Sequence, residues 1–452
     1  MGDATYALSS NLYIKKRNKK IILFNPDAFG NPVLVKDDLC LLFDKRFKRL
    51  TKNRILALLP NYLTPIQKEQ LFSFLKDYCF VSAGVSNLVA LNNAPQSKSI
   101  GVWLHITNKC NLRCPYCFVN RNSKTMDKQI IKRFVLGILQ GAATQDINRI
   151  TIKFSGGEPL LALAAIRQTV NEFELNKIST IDVRFSILSN GVYINDNLLS
   201  FMKTHRIGIA ISLDGYGNIH DRTRVNKNGK GSFKTIEKNI ELLQSNDIQP
   251  FIMATISDDT IDELPLLTKW LLDHNLFTRY SFVRSKNDPL RNYKQFCRRI
   301  VSSMSKNIEV IDKHHFGPEF VLKWKLADLS FDHPIIRQPC EIGKSHFVVN
   351  WNGDLALCPM SLEETIGNVN DNIYEQYAKH ESKYIQKQAK NVLCQKCQWH
   401  RTCGTGCPIL NESLLGHPNE RSPFCEAYRQ LIPQYIDIYG WALEKLGGIY
   451  LN

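Results

Sequence analysis

The sequence predicts an α/β protein: a parallel sheet with a smaller mixed domain ahead of it and a cysteine-rich segment behind it. Three observations carry that reading. From residue 100 onward, strand-length apolar segments and helix-length segments alternate six times, and such alternation specifies parallel strands joined by right-handed crossovers. Each glycine-rich or polar motif in this stretch falls just after a strand, the edge at which parallel barrels bind ligands. Ten of the thirteen cysteines stand in two groups, at 110–117 and 340–425.

Taken in order, residues 1–98 form the first unit. Short strands are expected at 11–14 and 21–24, the turn Phe29-Gly30-Asn31-Pro32 follows, and a third strand lies at 33–35. Helices are expected at 37–47, 51–58 and 64–78, the last with Leu71, Phe72, Phe74 and Leu75 at near-helical spacing. The second unit, 99–290, places strands at 102–106, 150–154, 183–188, 207–213, 251–256 and 279–283. Helices at 127–143, 160–173 and 233–244 lie between them. A helical connection spans 291–335. The last unit, 336–452, opens on a hairpin with Asn352-Gly353 at its turn, and it ends in an amphipathic helix over 423–446.

Composition narrows the function classes. A chain of 452 residues with 44% hydrophobic and 22% charged residues can bury a large core in two or three domains. No apolar run reaches the roughly eighteen residues of a membrane span. The N-terminus has neither a basic start nor an apolar core, so no secretory signal is expected. Thirteen cysteines without an export signal fit metal ligation in a reducing cytoplasm better than disulfides. The formal charge of +16 raises the possibility of a nucleic-acid partner. Cluster assembly would offset part of it with thiolate and sulfide charge. The basic residues are spread out except for Lys15-Lys16-Arg17 with Lys19-Lys20, and Lys45-Arg46 with Lys48-Arg49. An acidic peptide accounts for those two groups as well as RNA does, and a solvated surface accounts for many of the rest.

The most specific signal is Cys110-Asn-Leu-Arg-Cys114-Pro-Tyr-Cys117. Three thiolates on one tight loop suit a soft metal centre, above all an iron–sulfur cluster. A [4Fe–4S] cubane takes four ligands, so three cysteines leave one iron for another molecule. A zinc knuckle would more usually pair two CxxC units.

This loop, with Tyr116 before its last cysteine and followed by Phe154-Ser155-Gly156-Gly157-Glu158-Pro159, resembles the radical S-adenosylmethionine (SAM) superfamily. Leu188-Ser189-Asn190-Gly191 and Ser212-Leu213-Asp214-Gly215, with His220-Asp221, Arg224 and Gly231-Ser232-Phe233, resemble its peptide- and protein-modifying branch. The cysteines Cys340, Cys358, Cys394, Cys397, Cys403, Cys407 and Cys425 follow the SPASM pattern of auxiliary-cluster enzymes. Spacing and resemblance together imply a partial (β/α)6, TIM-like barrel with a C-terminal SPASM domain. The strands and helices of residues 1–98 look like the winged-helix peptide-recognition element fused to many maturases of ribosomally made peptides. A structural cap on the barrel is the plainer reading of that unit.

The resemblance also assigns roles. Cys110, Cys114 and Cys117 would hold a cluster whose open iron takes the amino and carboxylate groups of SAM. One electron then cleaves SAM to a 5′-deoxyadenosyl radical. Gly156 and Gly157 would let backbone approach the ligand, and Glu158 would accept from its ammonium group. Ser189, Asn190, Ser212 and Asp214 would bond ribose hydroxyls or the carboxylate, and Arg224 would pair with that carboxylate. Tyr116 would lie beside the adenine or cover the loop.

Cys394, Cys397, Cys403 and Cys425 would hold a second cluster, and Cys340, Cys358 and Cys407 a third with one position unfilled. Cys40, Cys79 and Cys297 read as structural thiols, with Cys297 the competitor for the vacancy. The expected enzyme cross-links a precursor peptide by a thioether or carbon–carbon bond, with a flavodoxin- or ferredoxin-type electron donor. The alternatives are an anaerobic sulfatase-maturating (formylglycine-forming) enzyme and a non-enzymatic iron–sulfur electron carrier.

Overall fold

The computed structural model describes residues 4–9, 11–26, 31–43, 49–77, 80–82, 98–284, 292–326, 329, 345–380, 392–403, 406–418 and 420–447. Cys79, Cys340 and most of the basic run from Lys45 lie outside them.

The N-terminal unit holds β1 (Thr5–Leu8), β2 (Tyr13–Arg17), β3 (Lys20–Phe24), β4 (Val33–Lys36), a 3-10 turn over Asp37–Phe43, β5 (Leu50–Thr51), α1 (Lys52–Leu58), α2 (Pro65–Asp77) and β6 (Val81–Ser82). Strands β2–β3–β4 make one antiparallel sheet and β5–β1–β6 a second. The second sheet was not expected, because two-residue strands carry no readable period.

Strand β3 explains why its run Ile21-Ile22-Leu23-Phe24 is apolar on both faces. Successive side chains point to opposite sides of a strand. Ile21 and Leu23 join the unit's own core with Leu12, Val35, Phe72 and Leu75. Ile22 and Phe24, with Leu34, are buried instead in the main core of the protein.

The central sheet has ten strands in the order β13–β12–β11–β10–β9–β8–β7–β14–β15–β16. The six expected strands are β7 (Ser99–Thr107), β8 (Arg149–Gly156), β9 (Asp182–Ser189), β10 (Gly208–Ser212), β11 (Phe251–Ile256) and β12 (Thr278–Phe282), all parallel. Crossover helices α3 (Lys128–Thr144), α4 (Leu163–Leu175), α5 (Asp196–His205), α6 (Phe233–Gln244) and α7 (Leu264–Asp273) cover them. Ile150, Ile152 and Phe154 of β8 are fully buried on the helix side, which leaves Thr151, Lys153 and Ser155 facing the other way.

Both edges of the sheet carry strands beyond the expected six. After α8 (Tyr293–Asp312) and α9 (Gly317–Lys323), β13 (Lys325–Leu326) extends one edge. At the other edge the expected hairpin forms as β14 (His346–Val349) and β15 (Asp354–Ala356), with Gly353 at φ +87° in its turn, followed by β16 (Thr365–Asn368). Strand β14 pairs parallel with β7, Val348 opposite Trp103. The cysteine-rich segment is therefore continuous with the barrel sheet and covers an edge that would otherwise offer unpaired backbone.

Helices α10 (Ile373–His380), α11 (Pro408–Leu415) and α12 (Cys425–Lys445) are the longer helices of the C-terminal segment. Helix α12 is the seat of the N-terminal unit. A Cβ on Gly440 would fall 2.4 Å from Ile22 Cδ1, so glycine is what lets β3 lie on the helix. Lys15 pairs with Asp437, and Arg17 Nε with Glu444 Oε2 at 3.1 Å. Lys20 reaches the other oxygen of Glu444 at 3.6 Å. The first basic cluster is thus partly spent on this docking and is less available to a partner than its sequence implied. Among the described residues no helix is long and apolar enough to cross a membrane.

Candidate functional site

The three-cysteine loop leaves the C-terminal end of β7 and is clamped there by the Gly156-Gly157-Glu158 turn that ends β8. Gly157 N–H donates to Thr107 O at 2.8 Å, and Glu158 N–H to Lys109 O at 2.6 Å. A Cβ on Gly156 would lie 2.2 Å from Thr107 O, and one on Gly157 would lie 2.3 Å from Lys109 O. These glycines are expected to let backbone approach a ligand. What they approach here is the backbone leading into Cys110.

Glu158 is fully buried and ties three loops together. Its Oε1 accepts from Leu160 N–H at 3.0 Å and from Ser189 Oγ at 2.9 Å, and its Oε2 accepts from Asn190 N–H at 2.7 Å. Burial pushes its carboxyl up to about 7, against the pull of those donors. Ser189 Oγ also accepts from Gly191 N–H at 2.9 Å. Asn190 Nδ2 donates to Asn111 Oδ1 at 2.7 Å, inside the cysteine loop. Two residues expected to bond a ligand's hydroxyls therefore also lock the loops after β8 and β9 to the loop after β7.

Asp214, just beyond β10, anchors the other side. Its Oδ2 accepts from Arg224 Nε at 2.8 Å, from Thr223 Oγ1 at 3.1 Å and from the Tyr116 hydroxyl, while Oδ1 accepts from Thr255 N–H at 2.9 Å. Burial opposes its ionisation, but the charge of Arg224 and these hydrogen bonds hold it below the usual carboxylate range. Arg224 places Nη1 4.0 Å from Cys114 Sγ, and its guanidinium lies 5.6 Å from the centre of the Tyr116 ring. Arg222, the neighbouring candidate, is exposed and bonds Asp259 O at 3.2 Å. Tyr116 thus reaches from the cysteine loop to the Asp214–Arg224 pair. Ser212 stands at the end of β10, half-buried.

His105 and Asn108, which sequence reasoning did not single out, and His220, which it quoted only as part of a motif, complete the frame. His105 on β7 is buried with Nε2 2.6 Å from Asn108 Oδ1, and burial lowers its pKa to about 4. His220 accepts Asp214 N–H through Nδ1 at 3.2 Å and lies 3.0 Å from Ser232 Oγ. The signal for Asn108 and Asn111 was their position flanking Cys110, but only the fold reveals their partners.

The loop residues fit a cluster-binding role. Cys110, Cys114 and Cys117 are all free of disulfides and close enough to influence one another's charge. Leu112 N–H points at Cys110 Sγ at 3.4 Å. Among the described residues no three His, Cys, Asp or Glu side chains converge on one ion-sized point. A cubane binds each thiolate through a different iron, so its ligands stand further apart than those of a single ion. Burial raises the Cys114 thiol to about 11, with Arg224 offsetting part of that.

In the C-terminal segment Cys394, Cys397 and Cys425 lie near one another. Cys403 ends a short helix over His400–Cys403, and Cys407 caps the start of α11. Cys358 is buried just beyond β15. Cys297, on α8, is buried, and its thiol donates to Pro423 O at 3.2 Å, two residues before Cys425. Trp399, between Cys397 and Cys403, packs against Tyr13 of β2 with ring centres 5.8 Å apart.

Comparison with known proteins agrees with this architecture. Residues 104–271 match the radical SAM superfamily, and residues 340–398 match SPASM, an iron–sulfur cluster-binding domain. A cysteine-type anaerobic sulfatase-maturating enzyme of Clostridium novyi is 26% identical over 362 residues, which span 75% of this chain and 96% of the relative. The solved structure of native anSMEcpe with bound AdoMet superposes with a TM-score of 0.62 at 19% identity, over 75% of this chain and 98% of that one. Streptococcus suis SuiB bound to S-adenosylmethionine gives 0.54 at 14% identity, over 93% and 100%. At these identities the structural likeness speaks for the fold. With the CxxxCxxC loop at the ligand-binding edge of a parallel sheet, and the cysteine-rich hairpin continuing that sheet, this chain is a radical SAM protein with a C-terminal SPASM domain.

Proposed function

We propose that the chain modifies a ribosomally made precursor peptide, captured by the N-terminal unit and cross-linked through a thioether or carbon–carbon bond. The observation that carries this reading is the N-terminal unit itself. It has its own core, yet it is seated on α12 beside the auxiliary cysteines. The sulfatase-maturating relative leaves about a quarter of this chain unmatched, an excess the size of that unit. SuiB, which is known bound to its precursor peptide SuiA, spans 93% of this chain. That span must include most of residues 1–98.

In this reading Cys110, Cys114 and Cys117 hold the SAM-binding cluster. Cys394, Cys397, Cys403 and Cys425 hold a second, and Cys340, Cys358 and Cys407 a third. The cluster and SAM, when bound, supply one-electron cleavage of a sulfonium bond and hydrogen-atom abstraction from the substrate. The chain's residues position and shield that chemistry. Gly156, Gly157 and Glu158 fix the loop, and Ser189, Asn190, Ser212 and Asp214 supply polar contacts at the strand ends. Arg224 sets a positive charge beside Cys114, and Tyr116 covers the loop. A flavodoxin- or ferredoxin-type protein supplies the electron.

A second reading, formylglycine formation, is favoured by the identity to the Clostridium novyi enzyme. One experiment separates them. The reconstituted protein is incubated with SAM, reductant and any short cysteine-bearing or aromatic-rich precursor found encoded beside its gene, and in parallel with a cysteine-bearing sulfatase peptide. The expected result is loss of two hydrogens from the precursor per cross-link, with 5′-deoxyadenosine formed. Conversion of the sulfatase peptide to an aldehyde, with the precursor untouched, would overturn the proposal.

A further inference from the structure

We infer that Tyr13 of β2 is a positioning residue for the second cluster, so that docking of the N-terminal unit and metal loading of the C-terminal segment are coupled. The inference rests on the reading that Cys394, Cys397, Cys403 and Cys425 hold that cluster. Those four residues come from two separate elements. Cys394 and Cys403 lie on the short helices Val392–Gln395 and His400–Cys403, with Cys397 between them, whereas Cys425 is the first residue of α12. Their thiols can share a cluster only where both elements are brought to one place, and a metal site and the folding around it stabilise one another.

Tyr13 touches both elements. Its ring packs on Trp399 with centres 5.8 Å apart, and its hydroxyl lies 3.5 Å from Asp437 Oδ1 on α12. Trp399 is buried and sits at the hinge of the cysteine segment. Its carbonyl accepts Thr402 N–H and Cys403 N–H, each at 3.0 Å, while Cys397 N–H donates to Cys394 O at 3.0 Å. A rotation of Trp399 therefore moves the backbone that carries Cys403. Beyond Cys403 the segment already meets the approach to α12. A Cβ on Gly406 would fall 2.5 Å from Ser422 Cβ, and Asn411 Nδ2 donates to Glu420 O at 2.7 Å.

Strand β2 is fixed to α12 at several points besides Tyr13. Lys15 pairs with Asp437, Arg17 and Lys20 reach the two oxygens of Glu444, and Ile22 of the neighbouring strand lies over Gly440. Asp437 stands about 18 Å along the helix from Cys425, so these contacts hold the helix well away from its thiol. The unit's own core, which includes Ile21, Leu23, Val35, Phe72 and Leu75, lies apart from them. Presenting a peptide requires only a tethered unit; it does not require a strap from α12 to the tryptophan between two cysteines. That strap serves the cysteines. Coupling of this kind is reciprocal: undocking weakens the hold on iron, and loss of iron loosens the docking by the same factor.

The test uses the full-length protein reconstituted with iron and sulfide, with Cys110, Cys114 and Cys117 replaced by alanine so that only iron of the C-terminal segment is counted. Release of iron to a chelator is timed, and hydrogen exchange is followed across β2 and the last turns of α12 with iron in place and removed. Tyr13→Ala should release iron about tenfold faster. Tyr13→Phe keeps the ring on Trp399 and should release it at close to the unsubstituted rate. Lys15→Glu with Arg17→Glu changes only surface charges facing Asp437 and Glu444, and should speed release in the same direction. Stripping the iron should in turn speed exchange over 437–444. In the chain with its loop cysteines intact, the change in the electron paramagnetic resonance signal on adding SAM should be the same in every variant. Unchanged iron release in both Tyr13→Ala and the charge-reversed protein overturns the inference, as does parallel loss of the loop cluster, which would report general loosening. Iron fully retained by Cys394→Ala with Cys397→Ala would overturn the ligand assignment instead, so the two failures are distinguishable.

Discussion

Replacing Gly157 with alanine tests how the cysteine loop is held. The added Cβ would lie 2.3 Å from Lys109 O, 2.7 Å from Lys109 C and 2.8 Å from Asn108 O, all backbone atoms that cannot swing aside. Moving the shortest of these contacts out to an approach of about 3 Å demands a backbone shift of about 0.7 Å. That shift strains the 2.8 Å and 2.6 Å hydrogen bonds from Gly157 and Glu158 to Thr107 and Lys109. Two weakened hydrogen bonds at about 1 kcal/mol each, with at least about 1 kcal/mol for overpacking, give a cost of about 3 kcal/mol. Lys109 precedes Cys110, so the displacement falls on the first of the three proposed cluster ligands. We expect a lower denaturation midpoint and SAM cleavage reduced in step with iron lost from the loop site. Gly208→Ala is the control, because its nearest neighbours stand 3.9 Å away and it should be near neutral. A Gly157→Ala protein with the unsubstituted midpoint, iron content and SAM cleavage would refute this account of the loop.

Cys297→Ala should retain the iron that the proposed function assigns to Cys358 and Cys407, because the Cys297 thiol is directed at Pro423 O beside Cys425; loss of one cluster's iron would show it to be a ligand. Acid should destabilise the protein through His105 and His220, both held near a pKa of about 4 by burial against an ordinary 6.5. Their folded values lie below the unfolded one, so the stability they confer is complete above pH 6.5 and is lost as pH falls toward 4. The amount is roughly 3 kcal/mol for each histidine. Urea unfolding followed by tryptophan fluorescence between about pH 7.5 and 4.5 should show a shallower pH dependence in His105→Gln with His220→Gln. An identical slope would sink the assignment.

The barrel strands were legible because each is buried on its helix face and bounded by turn chemistry. Ile150, Ile152 and Phe154, then Ser155-Gly156-Gly157, announce both a strand and its end. The cysteine pattern was legible because ligand spacing is local. What the sequence did not disclose is non-local. Strand β14 joins β7 across more than two hundred residues, and no periodicity in His346–Val349 names its partner. The expected helix at 160–173 begins one turn late, because Glu158 accepts Leu160 N–H and Pro159–Ala162 forms a 3-10 turn first. Glu158, Ser189 and Asn190 read as ligand contacts because their motif names them so, while their hydrogen bonds to one another depend on two loops meeting in space. The basic cluster around Lys15 read as a partner surface because the carboxylates it meets, Asp437 and Glu444, lie at the far end of the chain.

The buried pair of Asp214 and Arg224 bears on how this site is kept in shape. Removing two charges from water is costly, and an apolar pair of equal volume would often be at least as stable. Stability alone therefore does not account for it. Its bonds run in four directions: to Tyr116 on the cysteine loop, to Thr223 on the segment after β10, to Thr255 at the end of β11, and toward Cys114 Sγ. Apolar substitutes would fill the space without fixing these distances, since hydrophobic contact has no direction. The pair thus bolts the loop that carries the thiols to the ends of two strands on its far side. On the near side, Glu158 does the same through Ser189, Asn190 and the backbone of Lys109. Between those two buried carboxylates the loop has little freedom left. In the proposed reading that rigidity holds Cys110, Cys114 and Cys117 in one arrangement, a directional role that apolar packing would not supply.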